Sequence, residues 1–150
     1  MVGRLARWLR LLGFDTFYSN RAEDDYLKEL CDREKRILLT RDRYLHIRLR
    51  HDLVHLVQSQ VPREQVMEVS LRFGLPAFAL PPRCACCNGK LVGLDRTETA
   101  GRVPLYVFRT QTDFSRCLDC GRFYWPGTHL HGIHDFLKNS FGSVADTGKR

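Results

Sequence analysis

Apolar positions in the first 74 residues follow two periods, and the period assigns the elements. Leu5, Trp8, Leu9 and Leu12 fall at i, i+3, i+4 and i+7 and predict a helix over 4–12. Gly13 suits the left-handed residue that ends such a helix. Arg7 and Arg10 lie off the stripe and Arg4 at its edge, so Arg10 is expected on a solvated face. Residues 14–18 predict a short strand. Asp24 precedes a predicted helix over 25–34 that turns Leu27, Leu30 and Cys31 inward. Ile37, Leu38 and Leu39 run together and stop at Thr40-Arg41-Asp42. A short apolar run bounded by polar residues predicts a strand buried on both faces over 36–40. A helix over 43–50, a strand over 53–57 and a helix from Pro62, at its first position, to Phe73 complete the pattern. Strands alternating with helices at this spacing predict a parallel sheet of βα units.

The pattern breaks at Leu75. Residues 75–82 hold three prolines and no charge, and are expected to be a linker. Short β-prone runs follow at 90–93, 103–108 and 122–125. Residues 138–150 are expected to be a disordered tail.

Five of the six cysteines lie beyond the linker. Cys84 and Cys87 form one Cys-x-x-Cys pair, and Cys117 and Cys120 a second, with 29 residues between Cys87 and Cys117. Each pair brings two thiolates to one side of a tight turn, and two pairs complete a tetrahedral zinc site. Asn88-Gly89 and Gly121 follow the pairs and permit the positive φ of such a turn. The prediction is a zinc ribbon with a closed, structural metal. Cys86 could replace Cys84 or Cys87, but the spacing favours the outer two. Disulfides or a redox dithiol are the competing readings, less natural for two paired motifs in a chain without an export signal. Cys31 is expected to be a buried apolar residue. His129, His131 and His134 form a loose cluster. His131 and His134, at i and i+3, are expected to be solvated or singly hydrogen-bonded rather than metal-binding, and His129 to buttress the zinc turn or contact phosphate.

Composition narrows the partners. The chain of 150 residues is 43% hydrophobic and 27% charged, which suits a globular protein. Its net charge of +7 favours polyanionic partners, nucleic acid first. No apolar run approaches the ~20 residues of a membrane span. The start lacks an uninterrupted apolar core and a small-residue cleavage site, so no signal peptide is read. A reducing, cytoplasmic location is expected, where cysteines bind metal more often than they pair.

Asp42 is the main candidate for chemistry. In open α/β sheets ligands bind beyond the carboxyl ends of the strands. A carboxylate there, beside a hydroxyl and a guanidinium, could hold a metal or activate water. From this stretch alone the favoured reading is that it caps the following helix, since Asp is a favoured N-cap.

Several separated stretches together resemble one family. They are Gly3-Arg-Leu-Ala-Arg-Trp-Leu-Arg-Leu-Leu-Gly13, Asp24-x-x-Leu27, Ile37-Leu-Leu-Thr-Arg-Asp42, Arg83-Cys-x-x-Cys-Asn88 and Cys117-x-x-Cys-Gly-Arg-Phe-Tyr-Trp-x-Gly-Thr-His129. They look like the Mut-seven C-terminal ribonuclease family, a PIN-like nuclease domain followed by a zinc ribbon. The resemblance implies a PIN-like α/β domain over 1–74, a ribbon over 83–137, an RNA substrate and divalent-metal chemistry. Asp42 matches the family's acid after a strand, and Asp24 the acid that opens a helix. Asp25 and Glu23 could share the role of Asp24, which also reads as an N-cap. Asp15 is expected in the turn after Gly13. Both Asp24 and Asp42 would then hold catalytic Mg²⁺ or Mn²⁺. Thr40 and Arg41 would position phosphate, and Arg4 and Arg7 would contact the RNA backbone. The family pattern opens with an apolar strand ending in an acid, and this chain starts just after it. Either the true start lies upstream, which is the favoured expectation, or the chain is a truncated product with weakened folding and little activity.

The leading expectation is therefore a metal-dependent ribonuclease. Its rivals are a non-catalytic RNA-binding module, in which the acids are caps, and a protein-interaction adaptor built on the ribbon.

Overall fold

A computed structural model describes residues 2–49, 52–75 and 80–127. The chain divides into two compact units, Met1–Ala6 with Phe17–Leu75 and Arg7–Thr16 with Pro76–Arg150. The histidines at 129, 131 and 134 and the predicted tail lie outside the described residues.

Helix α1 spans Gly3–Leu11. Leu5, Leu9 and Leu12 of the predicted stripe are buried. Its end is fixed by Gly13, at φ +92°. The Gly13 N–H bonds to the Arg10 carbonyl and the Phe14 N–H to the Leu9 carbonyl, both at 2.9 Å. This paired arrangement satisfies two carbonyls that the helix end would leave bare. A β-carbon at Gly13 would also overlap Leu80 and the Pro81 carbonyl.

The first unit is built from βα elements. Helix α2 spans Asp24–Glu34, strand β1 Leu38–Thr40, helix α3 Arg43–Leu49, strand β2 Val54–Leu56 and helix α4 Pro62–Phe73. Strands β1 and β2 pair in parallel, Leu38 opposite Val54 and Thr40 opposite Leu56. Cys31, Leu38 and Leu45 are buried together, with Leu27, Leu49 and Val54 packed against them. The apolar reading of Cys31 and the inward face of α2 therefore hold. Helix α4 has Pro62 at its start and ends at Gly74, φ +59°. The expected α/β architecture is present as this small parallel sheet with its helices.

The second unit carries an antiparallel sheet. Strand β3 spans Leu91–Leu94, helix α5 Leu105–Thr110, strand β4 Phe114–Cys117 and strand β5 Phe123–Tyr124, in sheet order β3-β4-β5. Leu91 lies opposite Cys117, and Ser115 opposite Tyr124. A turn of 3₁₀ helix, Arg96–Thr99, links β3 towards α5 and is capped by Asp95.

Four expectations change. Residues 14–18 form no strand: the Thr16 N–H bonds to the Asn88 side chain and the Thr16 carbonyl to Arg10, so its backbone is engaged outside any ladder. The β-prone run at 103–108 is largely helical. The Phe108 N–H closes a turn on the Pro104 carbonyl, and the Arg96 guanidinium bonds to the Phe108 carbonyl at 2.7 and 3.1 Å. Tertiary contacts thus override local propensity. Asp24 is the first residue of α2 rather than its cap, because the Glu23 carbonyl already accepts from the Leu27 N–H. Its charge still suits the positive end of the helix dipole. Arg10, expected on a solvated face, is only 6% exposed.

Candidate functional site

The antiparallel register explains why the cysteines meet. Strand β3 follows the first Cys-x-x-Cys turn, and strand β4 leads into the second. Pairing Leu91 with Cys117 brings the two turns together. Each turn is closed by its own backbone: the Asn88 N–H bonds to the Cys84 carbonyl at 2.9 Å, and the Gly121 N–H to the Cys117 carbonyl at 3.0 Å. Asn88, at φ +70°, and Gly121, at φ +72°, adopt the left-handed conformation that the turns require.

The sulfurs of Cys84, Cys87, Cys117 and Cys120 all lie within 4.8 Å of one another. Cys84 and Cys120 are 3.6 Å apart, and Cys87 and Cys117 3.4 Å. Tetrahedral zinc with bonds of about 2.3 Å separates its sulfurs by about 3.8 Å, close to these distances. A disulfide needs about 2.05 Å, and all six cysteines are free thiols. Cys86 is exposed and stands outside the cluster, as the spacing argued. The four-cysteine cluster is thus suited to a metal such as zinc.

Proton affinities in the cluster diverge. Burial opposes the charge on Cys84, yet the Cys87 N–H, the Tyr124 hydroxyl and the Cys86 N–H outweigh it and hold the thiol down to about 6. Cys87 is pushed up to about 12: the Gly89 N–H favours its thiolate, but desolvation and the Cys117, Cys84 and Cys120 sulfurs prevail. Like charges this close disfavour one another, and a divalent cation between them removes the conflict.

Two residues that the sequence reading missed support this centre. The Tyr124 hydroxyl lies 3.0 Å from Cys84 Sγ and accepts from the Ala85 N–H at 3.1 Å. Arg10 donates through Nη1 to the carbonyls of Ala85, at 3.1 Å, and Cys86, at 2.9 Å, and through Nε to Thr16, at 2.9 Å. The available signal for Arg10 was a lone charge set among Leu9, Leu11 and Leu12. Tyr124 carried no signal beyond following the second pair by four residues.

The carboxylates of the first unit form a separate arrangement. Asp42 stands just past the carboxyl end of β1. Its Oδ1 accepts from the Tyr44 N–H at 2.7 Å and the Leu45 N–H at 3.2 Å, which caps α3. Its Oδ2 takes no hydrogen bond among the described residues, and the residue is exposed. Thr40 is buried, and its hydroxyl accepts from the Asp42 N–H at 3.0 Å, orienting the turn. Arg41 is half-buried, while Arg4 and Arg7 are exposed. Asp24 and Asp25 share one cation: Arg48 Nη2 lies 3.2 Å from Asp24 Oδ2 and 3.3 Å from Asp25 Oδ1. Among the described residues, the four cysteines are the one converging group of three or more potential metal ligands.

A family model described as the Mut7-C RNAse domain matches residues 1–137. Searches of curated proteins and of solved structures each found no match.

Proposed function

This chain belongs to the Mut7-C RNAse domain family, and from that premise we propose that it is a metal-dependent ribonuclease hydrolysing RNA phosphodiester bonds. The family match over residues 1–137 carries the reading. A net charge of +7 supports a polyanionic substrate. In this reading residues 1–74 are a PIN-like nuclease domain and 83–137 a zinc ribbon with a structural metal. The site of action is the cytoplasm, where a reducing milieu keeps the thiols free. Among the described residues no helix is long and apolar enough to cross a membrane.

Asp42 and Asp24 are the residues that would hold Mg²⁺ or Mn²⁺, both hard cations that take oxygen ligands. When bound, such an ion supplies an activated water and offsets charge on the phosphate oxygens. The chain's own contribution is orientation. Capping α3 through Oδ1 fixes the Asp42 carboxylate and leaves Oδ2 available. Thr40 sets the backbone of that turn. Arg41, Arg4 and Arg7 supply cations for the RNA phosphates.

A second reading is a non-catalytic RNA-binding module, and one observation favours it. Both acids have structural employment, Asp42 as a cap and Asp24 as a partner of Arg48. Cleavage of labelled single-stranded RNA with Mn²⁺, with and without a chelator, separates the two. Chelator-sensitive cleavage lost in Asp42→Asn supports the nuclease. Salt-dependent binding without cleavage supports the module.

A further inference from the structure

We infer that Arg10 is a positioning residue of the four-cysteine metal centre, holding the first cysteine turn from its outer side so that the metal is released slowly. The inference rests on the reading that the four sulfurs hold zinc. Its basis is the identity of the two peptide groups that Arg10 grips. The Ala85 carbonyl and the Cys86 N–H belong to one peptide group, and the Cys86 carbonyl and the Cys87 N–H to the next. Arg10 Nη1 donates to both carbonyls, at 3.1 and 2.9 Å. The Cys87 N–H, at the opposite end of the second group, bonds to Cys84 Sγ at 3.5 Å. One buried guanidinium therefore holds both peptide groups of the turn, including the one whose N–H faces the Cys84 sulfur. It also polarises that group in the sense that favours negative sulfur.

The grip is built, not incidental. Arg10 is 6% exposed, and its third bond, from Nε to the Thr16 carbonyl, locks its plane. The Arg10 carbonyl accepts from the Arg83 N–H at 2.8 Å, next to Cys84. The Asn88 side chain accepts from the Thr16 N–H at 3.0 Å and donates to Asp15 at 2.6 Å, tying the same segment to the far side of the turn. Residues 10–16 thus enclose the turn at 85–88. Four thiolates around a divalent cation carry a net charge of about −2, which the guanidinium partly offsets. Partners behind metal ligands typically govern metal affinity by 10–100-fold.

The test is zinc release from the zinc-loaded full chain into excess chromophoric chelator. Wild type, Arg10→Met, Arg10→Lys and the exposed control Arg102→Met are compared. Arg10→Met is expected to release zinc at least about tenfold faster. Arg10→Lys should lie nearer to Arg10→Met than to wild type, because an ammonium cannot reproduce the planar fork. Arg102→Met should match wild type. The gap in Tm between zinc-loaded and metal-free protein should narrow in both Arg10 variants, whereas a purely structural role lowers both midpoints equally. Should Arg10→Met fail to fold, the Co²⁺–thiolate absorption and release rate of Arg10→Lys carry the test. Wild-type release rates in both Arg10 variants, from a wild type that holds one zinc, overturn the role of Arg10 alone. A wild type that takes up no zinc overturns the metal centre and this inference with it.

Discussion

The Tyr124 hydroxyl lies 3.0 Å from the Sγ of the buried Cys84. The same oxygen accepts from the Ala85 N–H, so its proton is directed at the sulfur. Tyr124→Phe removes that donor and keeps the ring. Cys84, now held down to about 6, should rise. Because zinc must displace thiol protons, the variant should shed zinc at a higher pH than wild type, with affinity about tenfold lower at neutral pH. A pH titration with a zinc-responsive dye checks this. An unchanged release midpoint would remove Tyr124 from the account.

Asp42 has two roles to separate, and its cap geometry offers the means. Asn caps helices about as well as Asp, whereas Ala does not. Asp42→Asn should therefore keep wild-type stability while losing RNA cleavage. Asp42→Ala should lose cleavage and also about 1 kcal/mol of stability. Chemical denaturation beside a cleavage assay gives both readings. Full activity in Asp42→Asn would leave this residue as a cap and nothing more.

The difference between what was legible and what was not follows from range. The paired cysteines could be read because each pair acts within four residues, and the strand before Asp42 because its apolar run is continuous. Arg10 could not be read, because the carbonyls that bury it stand 75 and 76 positions away. Residues 103–108 misled for a related reason. Val103, Tyr106, Val107 and Phe108 favour strands locally, and the Arg96 side chain that bonds to the Phe108 carbonyl lies 12 positions before it. The side chain of Arg48 likewise gives Asp24 a partner that no local pattern announced.

Glu68 holds the loop after β2. Its carboxylate accepts from the N–H groups of Gln58, at 3.0 and 3.1 Å, and Ser59, at 3.3 Å, and lies 2.8 Å from His55 Nε2. Burial opposes its charge, but these bonds prevail and lower its pKa below the ordinary 4.5. A lowered native value means stability that is fully present above the unfolded pKa and lost as pH falls through the native one. Glu68→Gln should cost about 1–2 kcal/mol at neutral pH. The gap from wild type should close on acidification below 4.5. Denaturant midpoints across that range test it, and a gap that persists at low pH would contradict the assignment.

Gly89 is required by space. A β-carbon there would overlap the Asp119 carboxylate and lie 2.9 Å from Cys117 Sγ. Its carbonyl also accepts from the Cys84 N–H at 2.8 Å, so backbone movement would disturb the first turn. Gly89→Ala should cost about 1–3 kcal/mol and lower the zinc content of purified protein. Elemental analysis and thermal melts measure both. A zinc content and Tm equal to wild type would show that Asp119 yields without cost.

Arg48 occupies the place a cation would take between Asp24 and Asp25, at 3.2 and 3.3 Å. All three side chains are about half exposed or more, so the pairs add little stability, about 0–1 kcal/mol. Their consequence is competition. If Asp24 holds the divalent ion of the proposed nuclease, Arg48 must release it first. Arg48→Gln should leave Tm within about 2 °C of wild type, since a loss of a few tenths of a kcal/mol moves the midpoint little at this chain length. The Mn²⁺ concentration for half-maximal cleavage should fall several-fold. A variant with the wild-type Mn²⁺ requirement would separate Asp24 from the metal, and leave Asp42 to be judged on its own.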